Sequence, residues 1–248
     1  MKSNRELKKQ ALAALKGNWV KALLAVLIFA LIESVAVGPV TYQTAVMQQQ
    51  IQTRVMGVGG NNVLHQMAVV MQDPAILEAQ AKTNQASSFM SLLMILIIMP
   101  LSVGAANAFH KLLVAGDNNL TSNMFSMALG NYWHKVWGML LVGIFISLWS
   151  LLFVIPGIIK AFSYAMTPYI LEENPELSAN EAIDRSRAMM RGHKFDLFWL
   201  YLSFIGWAIL CLFTAGIGFL WLAPYVTTTQ AAFYEEVKAD YALNGGLI

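Results

Sequence analysis

The sequence predicts an all-α polytopic membrane protein, and three observations carry that prediction. Of 248 residues, 57% are apolar and only 12% are charged, about half the charged share of an ordinary soluble domain. A soluble core of this size would lack a charged shell. The apolar residues also gather into runs long enough to cross a hydrocarbon layer, which takes about 20 residues as a helix. Finally, of sixteen Lys and Arg, all but Arg54, Lys82 and Lys160 fall on one side of the topology those runs define, as retention of positive charge at the cytoplasmic face requires. The formal net charge of +2 provides no general field for nucleic acid. A lone cysteine, Cys211, excludes an internal disulfide framework and Cys-pair metal or redox motifs.

Six spans are expected within a single membrane domain covering 1–248. Residues 19–40 form the first, interrupted by Lys21 and Glu33. Its apolar side chains, at roughly −0.3 to −0.6 kcal/mol each, outweigh one carboxylate at about +3. A cleaved signal peptide ending near Ser34-Val35-Ala36 is the competing reading, but the run exceeds the usual apolar length of about 7 to 15 residues and more spans follow. The second span is 89–109, and the third, 137–155, stops at Pro156-Gly157. The fourth, 158–171, is short for a crossing. The fifth, 195–215, ends at Gly216-Ile217-Gly218, and the sixth is 219–233. An even count puts both termini and the basic 172–196 segment in the cytoplasm, whereas five spans would put one of them outside. Between the first two spans lies an extracytoplasmic insertion, 41–88, with Gly38-Pro39 as the turn that opens it. It contains Gln48-Gln49-Gln50, a flexible Gly57–Asn62 stretch, short helices over 63–71 and 75–86, and a helix start at Asp73-Pro74. A partner-docking cap and a tolerated insertion are both open readings of it.

A pattern recurs before the spans. Ser3-Asn4-Arg5-Glu6 opens a helical stretch ending at Gly17, and Ser178-Ala179-Asn180-Glu181 opens another ending at Gly192. Each Ser-x-x-Glu is a capping box, and each Gly suits the left-handed residue that ends a helix. Leu7, Ala11, Ala14 and Leu15 share one face of the 3–17 helix, and Ala182, Ile183, Ser186, Met189 and Met190 share one face of the 178–192 helix. Such helices are expected to lie on the inner leaflet, with basic residues outward. A shorter, weaker copy is Ser122–Leu129 before Gly130. The returning helices also recur: Pro168-Tyr169 echoes Pro224-Tyr225, and Pro100 to Phe109 has the spacing of Pro224 to Phe233. The predicted architecture is therefore six transmembrane helices as three parallel hairpins, each preceded by a cytoplasmic-face amphipathic helix.

The segment Pro156-Gly157-Ile158-Ile159-Lys160-Ala161-Phe162-Ser163-Tyr164-Ala165-Met166-Thr167-Pro168-Tyr169, with Asn174-Pro175 and Ser178–Ala182, resembles the signature of a bacterial multi-span membrane family catalogued as domain of unknown function 975. Asn4-Arg5-Glu6-Leu7, Leu15–Trp19 and Tyr201–Trp207 resemble it as well. The family is distantly similar to the membrane domain of some glycerophosphodiester phosphodiesterases. The resemblance implies a bacterial plasma-membrane protein and brings no catalytic residues. The 41–88 segment is longer than that family usually has.

Three groups of residues are candidates for function. Glu33 and Lys160 are ionisable groups within spans, where such residues default to functional interest. At 1.5 Å per residue they lie about 9 Å and 4.5 Å inside the outer turns at Pro39 and Gly157, so they form either a buried pair or two side chains snorkelling outward. Pro100, Pro168 and Pro224 each remove a backbone donor, with Ser102, Thr167, Thr227 and Thr228 placed to compensate. The resulting kinks either open a cavity or serve packing. Arg5, Lys9, Lys16, Lys21, Arg185, Arg187, Arg191 and Lys194 are candidates for anionic-lipid contact at the inner face. His65, His110, His134 and His193 show no metal-ligand spacing, and no nucleophile, phosphate-loop or dinucleotide motif is present. Glu172-Glu173 and Glu235-Glu236 read as solvated helix ends or as partners of the basic helices. No cofactor is expected. The leading functional expectation is a non-enzymatic protein that binds lipid or another membrane protein. The alternative is a transporter or lipid-moving protein with a cavity between hairpins, and a lipid-precursor enzyme ranks third.

Overall fold

A computed structural model of the chain describes residues 2–57 and 74–244. The Gly-rich stretch after Gly57, the helix expected over 63–71, His65 and Asp73 lie outside the described residues. In chain order the helices are α1 (Asn4–Leu15), α2 (Trp19–Gly57), α3 (Pro74–Ala115), α4 (Leu120–Leu129), α5 (Tyr132–Leu152), α6 (Val154–Ser163), α7 (Thr167–Glu173), α8 (Ala179–Met189), α9 (Lys194–Leu202), α10 (Ile205–Phe213) and α11 (Phe219–Leu243). The chain divides into two compact units. One is Met1–Phe29 with Met99–Ile248, and the other is Ala30–Ile98. The latter holds the end of α2 and the start of α3, with Glu78 and Lys82 paired one turn apart at 2.8 Å.

Among the described residues, four helical segments are long and apolar enough to cross a membrane: Leu96–Ala115, Tyr132–Leu152, Val154–Glu173 and Lys194–Phe213. Trp19–Ser34 qualifies together with α1 across a 96° bend, giving up to five. The sixth expected span, 219–233, is not among them. Its helix carries Pro224, Thr227-Thr228-Thr229 and Gln230 and continues through Glu235-Glu236 to Leu243, so its apolar run is diluted by polar residues.

Several boundaries differ from the sequence expectation. No turn forms at Gly38-Pro39: α2 stays helical to Gly57, and Tyr42–Gln52 is rich in Gln, which favours helix, and contains neither Gly nor Pro. The break expected at Pro156-Gly157 falls earlier, at Phe153, whose backbone is extended (φ −156°, ψ 143°). Pro156 then sits in the first turn of α6, where a missing N–H leaves no helical bond unmade. The fourth span consequently runs Val154–Glu173, 20 residues rather than 14 or so. Gly157 permits the tight return: a Cβ there would overlap the Ser150 hydroxyl and lie 2.9 Å from the Ser150 Cα.

Both capping boxes form, with nearly the same backbone at Ser3 (φ −68°, ψ 155°) and Ser178 (φ −66°, ψ 159°). Gly17 and Gly192 are left-handed at φ +82° and +83°. In the third copy the left-handed residue is Asn131 (φ 46°), one position after Gly130. The apolar faces of α1 and α8 do not rest on a leaflet. Leu7, Ala11, Leu15 and Ala182 are fully buried, and Leu7, Ala182 and Met189 join α7, α9 and α11 in one core with Tyr169, Phe204, Phe233 and Tyr234. Packing against protein wins because α7, α9 and α11 present apolar sides for α1 and α8 to cover.

These two helices also repair the breaks. Between α6 and α7 the backbone loses its regular pairing. The Ser186 hydroxyl of α8 donates to the Ser163 carbonyl at 2.9 Å and accepts from the Met166 N–H at 3.2 Å. Between α9 and α10, the Lys8 ammonium of α1 donates to the Ser203 carbonyl at 2.9 Å and lies 3.9 Å from the Phe204 ring centroid. Burial of that ammonium pushes its pKa down. Non-helical backbone in an apolar setting requires such partners.

Candidate functional site

The returning helices α3, α7 and α11 bring three metal-capable side chains together near one end: His110, Glu173 and Glu235. His110 Nε2 lies 2.6 Å from Glu235 Oε1 and 4.0 Å from Glu173 Oε1. An ionised carboxylate only accepts, so Nε2 carries the proton in this arrangement. This hydrogen bond holds Glu235 below the usual carboxylate range, against the opposing effect of burial. Tyr169 and Tyr234 stack at 4.6 Å, and the imidazole stands edge-on to both, at 5.7 and 5.4 Å. The Tyr234 hydroxyl donates to Glu173 Oε2 at 2.7 Å. Burial, then the Glu173 carboxylate, push its phenol up, so it stays a donor. The Lys238 ammonium lies 2.7 Å from Glu173 and 3.8 Å from Glu235. Alongside, Lys135 is buried, pairs with Glu172 at 2.5 Å, and donates to the carbonyls of Met127 and Gly130 at the end of α4.

A second feature is a groove between α6 and α9. Ile155, Ile158, Ile159 and Phe162 line one side and Phe195 and Phe198 the other, with Arg191, Gly192 and Lys194 completing a cavity of about 500 Å³. Left-handed Gly192 turns the chain from α8 into α9, which sets both basic residues beside the apolar walls. The local sequence causes this: Met-Arg-Gly-His-Lys-Phe places the cations immediately before an apolar helix.

The structure separates the other candidate lipid contacts. Arg185 donates to Asn174 at 2.9 Å, Arg187 pairs with Asp184 at 2.6 Å, and Lys21 donates to Asn118 at 2.8 Å. Arg5 and Lys9 line a shallow cavity with Lys8, Leu12 and Tyr225, and Lys16 lines another with Lys2, Asn18 and Glu235. Among the described residues, neither Arg191 nor Lys194 is in an ion pair.

Glu33 is exposed and belongs to the Ala30–Ile98 unit. Lys160 belongs to the other unit, with its ammonium 4.5 Å from the Trp149 ring centroid. It also lines a cavity with Asp184 and Arg187, so it keeps company with α8, which packs along α5 and α7. Of the three prolines, Pro168 stands in the first turn of α7, and the Tyr164 carbonyl it cannot reach accepts from Thr167 N–H at 3.1 Å. Pro100 and Pro224 lie inside α3 and α11 and are buried. Ser102, Thr227 and Thr228 donate to Met99, Ala223 and Pro224 carbonyls, not to the carbonyls four residues before the prolines. The cavities described here have none of the three prolines in their walls.

The His110 cluster escaped reading by local spacing, since His110 and Glu235 are 125 residues apart. One signal for it was present. In the shared register of Pro100 to Phe109 and Pro224 to Phe233, the next residues are His110 and Tyr234, and both belong to the cluster.

The family described as protein of unknown function (DUF975) matches residues 1–241. No curated protein matches the chain, and no solved structure does.

Proposed function

Starting from a chain that belongs to the DUF975 family, we propose that this is a non-enzymatic multi-span membrane protein that binds an anionic phospholipid in the groove between α6 and α9. The observation that carries this reading is the pairing of an apolar channel with two cations at one edge that, among the described residues, are in no ion pair. Ile155 and Phe195 are 71% and 77% exposed, and an acyl chain covers such side chains where water would not. A lipid phosphate completes Arg191 and Lys194; Arg gives a fork of donors and Lys a compact charge.

In this reading six helices, with α11 as the sixth, form three parallel hairpins in a bacterial plasma membrane, and both termini are cytoplasmic. Anionic lipid is attracted to such a basic edge at about 1 kcal/mol per Lys or Arg. Two such residues give a preference of about 30-fold over a zwitterionic lipid of the same chains. The bound lipid, or a membrane-protein partner recruited with it, is the basis of an accessory or scaffold role.

The test is thermal stability of the delipidated protein in detergent, titrated with phosphatidylglycerol or phosphatidylcholine. Phosphatidylglycerol is expected to raise Tm at lower concentration, and R191E/K194E to abolish the difference. Equal response of the wild type to both lipids contradicts the proposal.

A further inference from the structure

We propose that His110, Glu173 and Glu235 bind a divalent transition-metal ion, with Zn²⁺ preferred and Mn²⁺ weaker. The donors are one imidazole nitrogen and two carboxylates, a set that suits borderline ions and separates the site from a plain acidic patch. Their ligating atoms already lie within 4.8 Å of one another. An ion with bonds of about 2.1 Å holds its ligands about 3 to 4 Å apart, so closure takes side-chain adjustment only. The three come from three different helices, and two of them, His110 and Glu173, are oriented by neighbouring tyrosines. The imidazole is fixed between the edges of Tyr169 and Tyr234, and Tyr234 donates to the Glu173 oxygen that faces it. Metal ligands characteristically have such supports around them.

On its Glu235 side the cluster adjoins a cavity of about 560 Å³, lined by Glu235 with Glu236, Lys2, Gln10, Lys16 and Asn18; His110 and Glu173 are not in its wall. Without metal, the Lys238 ammonium bridges the two carboxylates. It is a long, partly exposed side chain (42%) and can swing outward. Entry of the ion thus exchanges one cation for another at the carboxylates, and His110 binds it through Nε2 as the neutral imidazole, with its proton on Nδ1. Lys238 is therefore a competitor of the metal. This site is independent of the lipid groove, so the two proposals fail separately.

The experiment is equilibrium dialysis of the purified full chain in detergent, stripped with chelator and then exposed to Zn²⁺, Mn²⁺ or Mg²⁺, with metal content measured. One Zn²⁺ per chain is expected, with Mn²⁺ weaker and Mg²⁺ weakest. His110→Ala and Glu235→Gln should each weaken Zn²⁺ binding by about 100-fold, the upper end of the losses seen when even supporting groups are removed. Lys238→Met should tighten it several-fold, a gain that misfolding would not produce. The proposal is overturned if the wild type takes up no stoichiometric Zn²⁺, if His110→Ala binds it as tightly, or if Lys238→Met binds it more weakly.

Discussion

Ser186 shows how much can rest on one hydroxyl. It faces the otherwise apolar side of α8 and is fully buried, where it serves both the Ser163 carbonyl and the Met166 N–H at the break between α6 and α7. Ser186→Ala leaves two buried backbone groups unpaired, at about 1–3 kcal/mol each. A drop in Tm of several degrees is expected in detergent, and an unchanged Tm would show that the break finds other partners. Gly104 makes the complementary case for space. A Cβ there would overlap the Met124 carbonyl oxygen and lie 2.8 Å from the Ala128 amide nitrogen, and both are backbone atoms. At Gly143 the nearest atom, the end of Met99, is 4.0 Å away. Gly104→Ala should therefore destabilise by about 1–3 kcal/mol or more, whereas Gly143→Ala should be neutral or stabilise by up to about 1 kcal/mol through helix propensity. Unfolding of the two variants side by side checks this, and equal effects would refute the close packing of α3 on α4.

At the scale of elements, the connection between α3 and α4 is a pH-dependent brace. Asp117 accepts from the Asn119 N–H at 3.0 Å and pairs with Lys111 at 3.0 Å. The Asn119 amide, then Asn123 and Lys111, lower its carboxyl from the ordinary 3.8 to about 2. Because the folded value is depressed, the brace is complete above the ordinary value and is lost as pH falls through about 2. Exchange of the Asn119 amide is expected to quicken between pH 4 and 2 in the wild type, beyond the intrinsic rate, and to show no such step in Asp117→Asn. The capping boxes, and the left-handed Gly17 and Gly192, were legible in the sequence because their chemistry closes within a few residues. The break between α5 and α6 was legible but expected three residues late, at Pro156-Gly157 rather than Phe153, whereas the interruptions at Tyr164–Met166 and at Ser203-Phe204 were not legible. Apolar runs on either side read as continuous, and what sustains the last two gaps is a side chain from a remote helix, Ser186 or Lys8.

For the molecule as a whole, charge scarcity was legible as membrane character, and the structure supplies four helical segments apolar and long enough to cross. The role of the amphipathic helices was half legible. Their apolar faces were evident from periodicity, but whether such a face meets lipid or protein depends on neighbours that periodicity does not contain. Of the eight basic candidates, Arg191 and Lys194 acquire an apolar groove beside them, while Arg185 and Arg187 find polar partners within the chain. The most direct measurement of the central claim is native mass spectrometry of the protein released from detergent, after equilibration with equimolar phosphatidylglycerol and phosphatidylcholine of identical chains. One phosphatidylglycerol is expected to be retained by the wild type and lost in R191E/K194E. Equal retention of both lipids, or an unchanged lipid adduct in the variant, would contradict it.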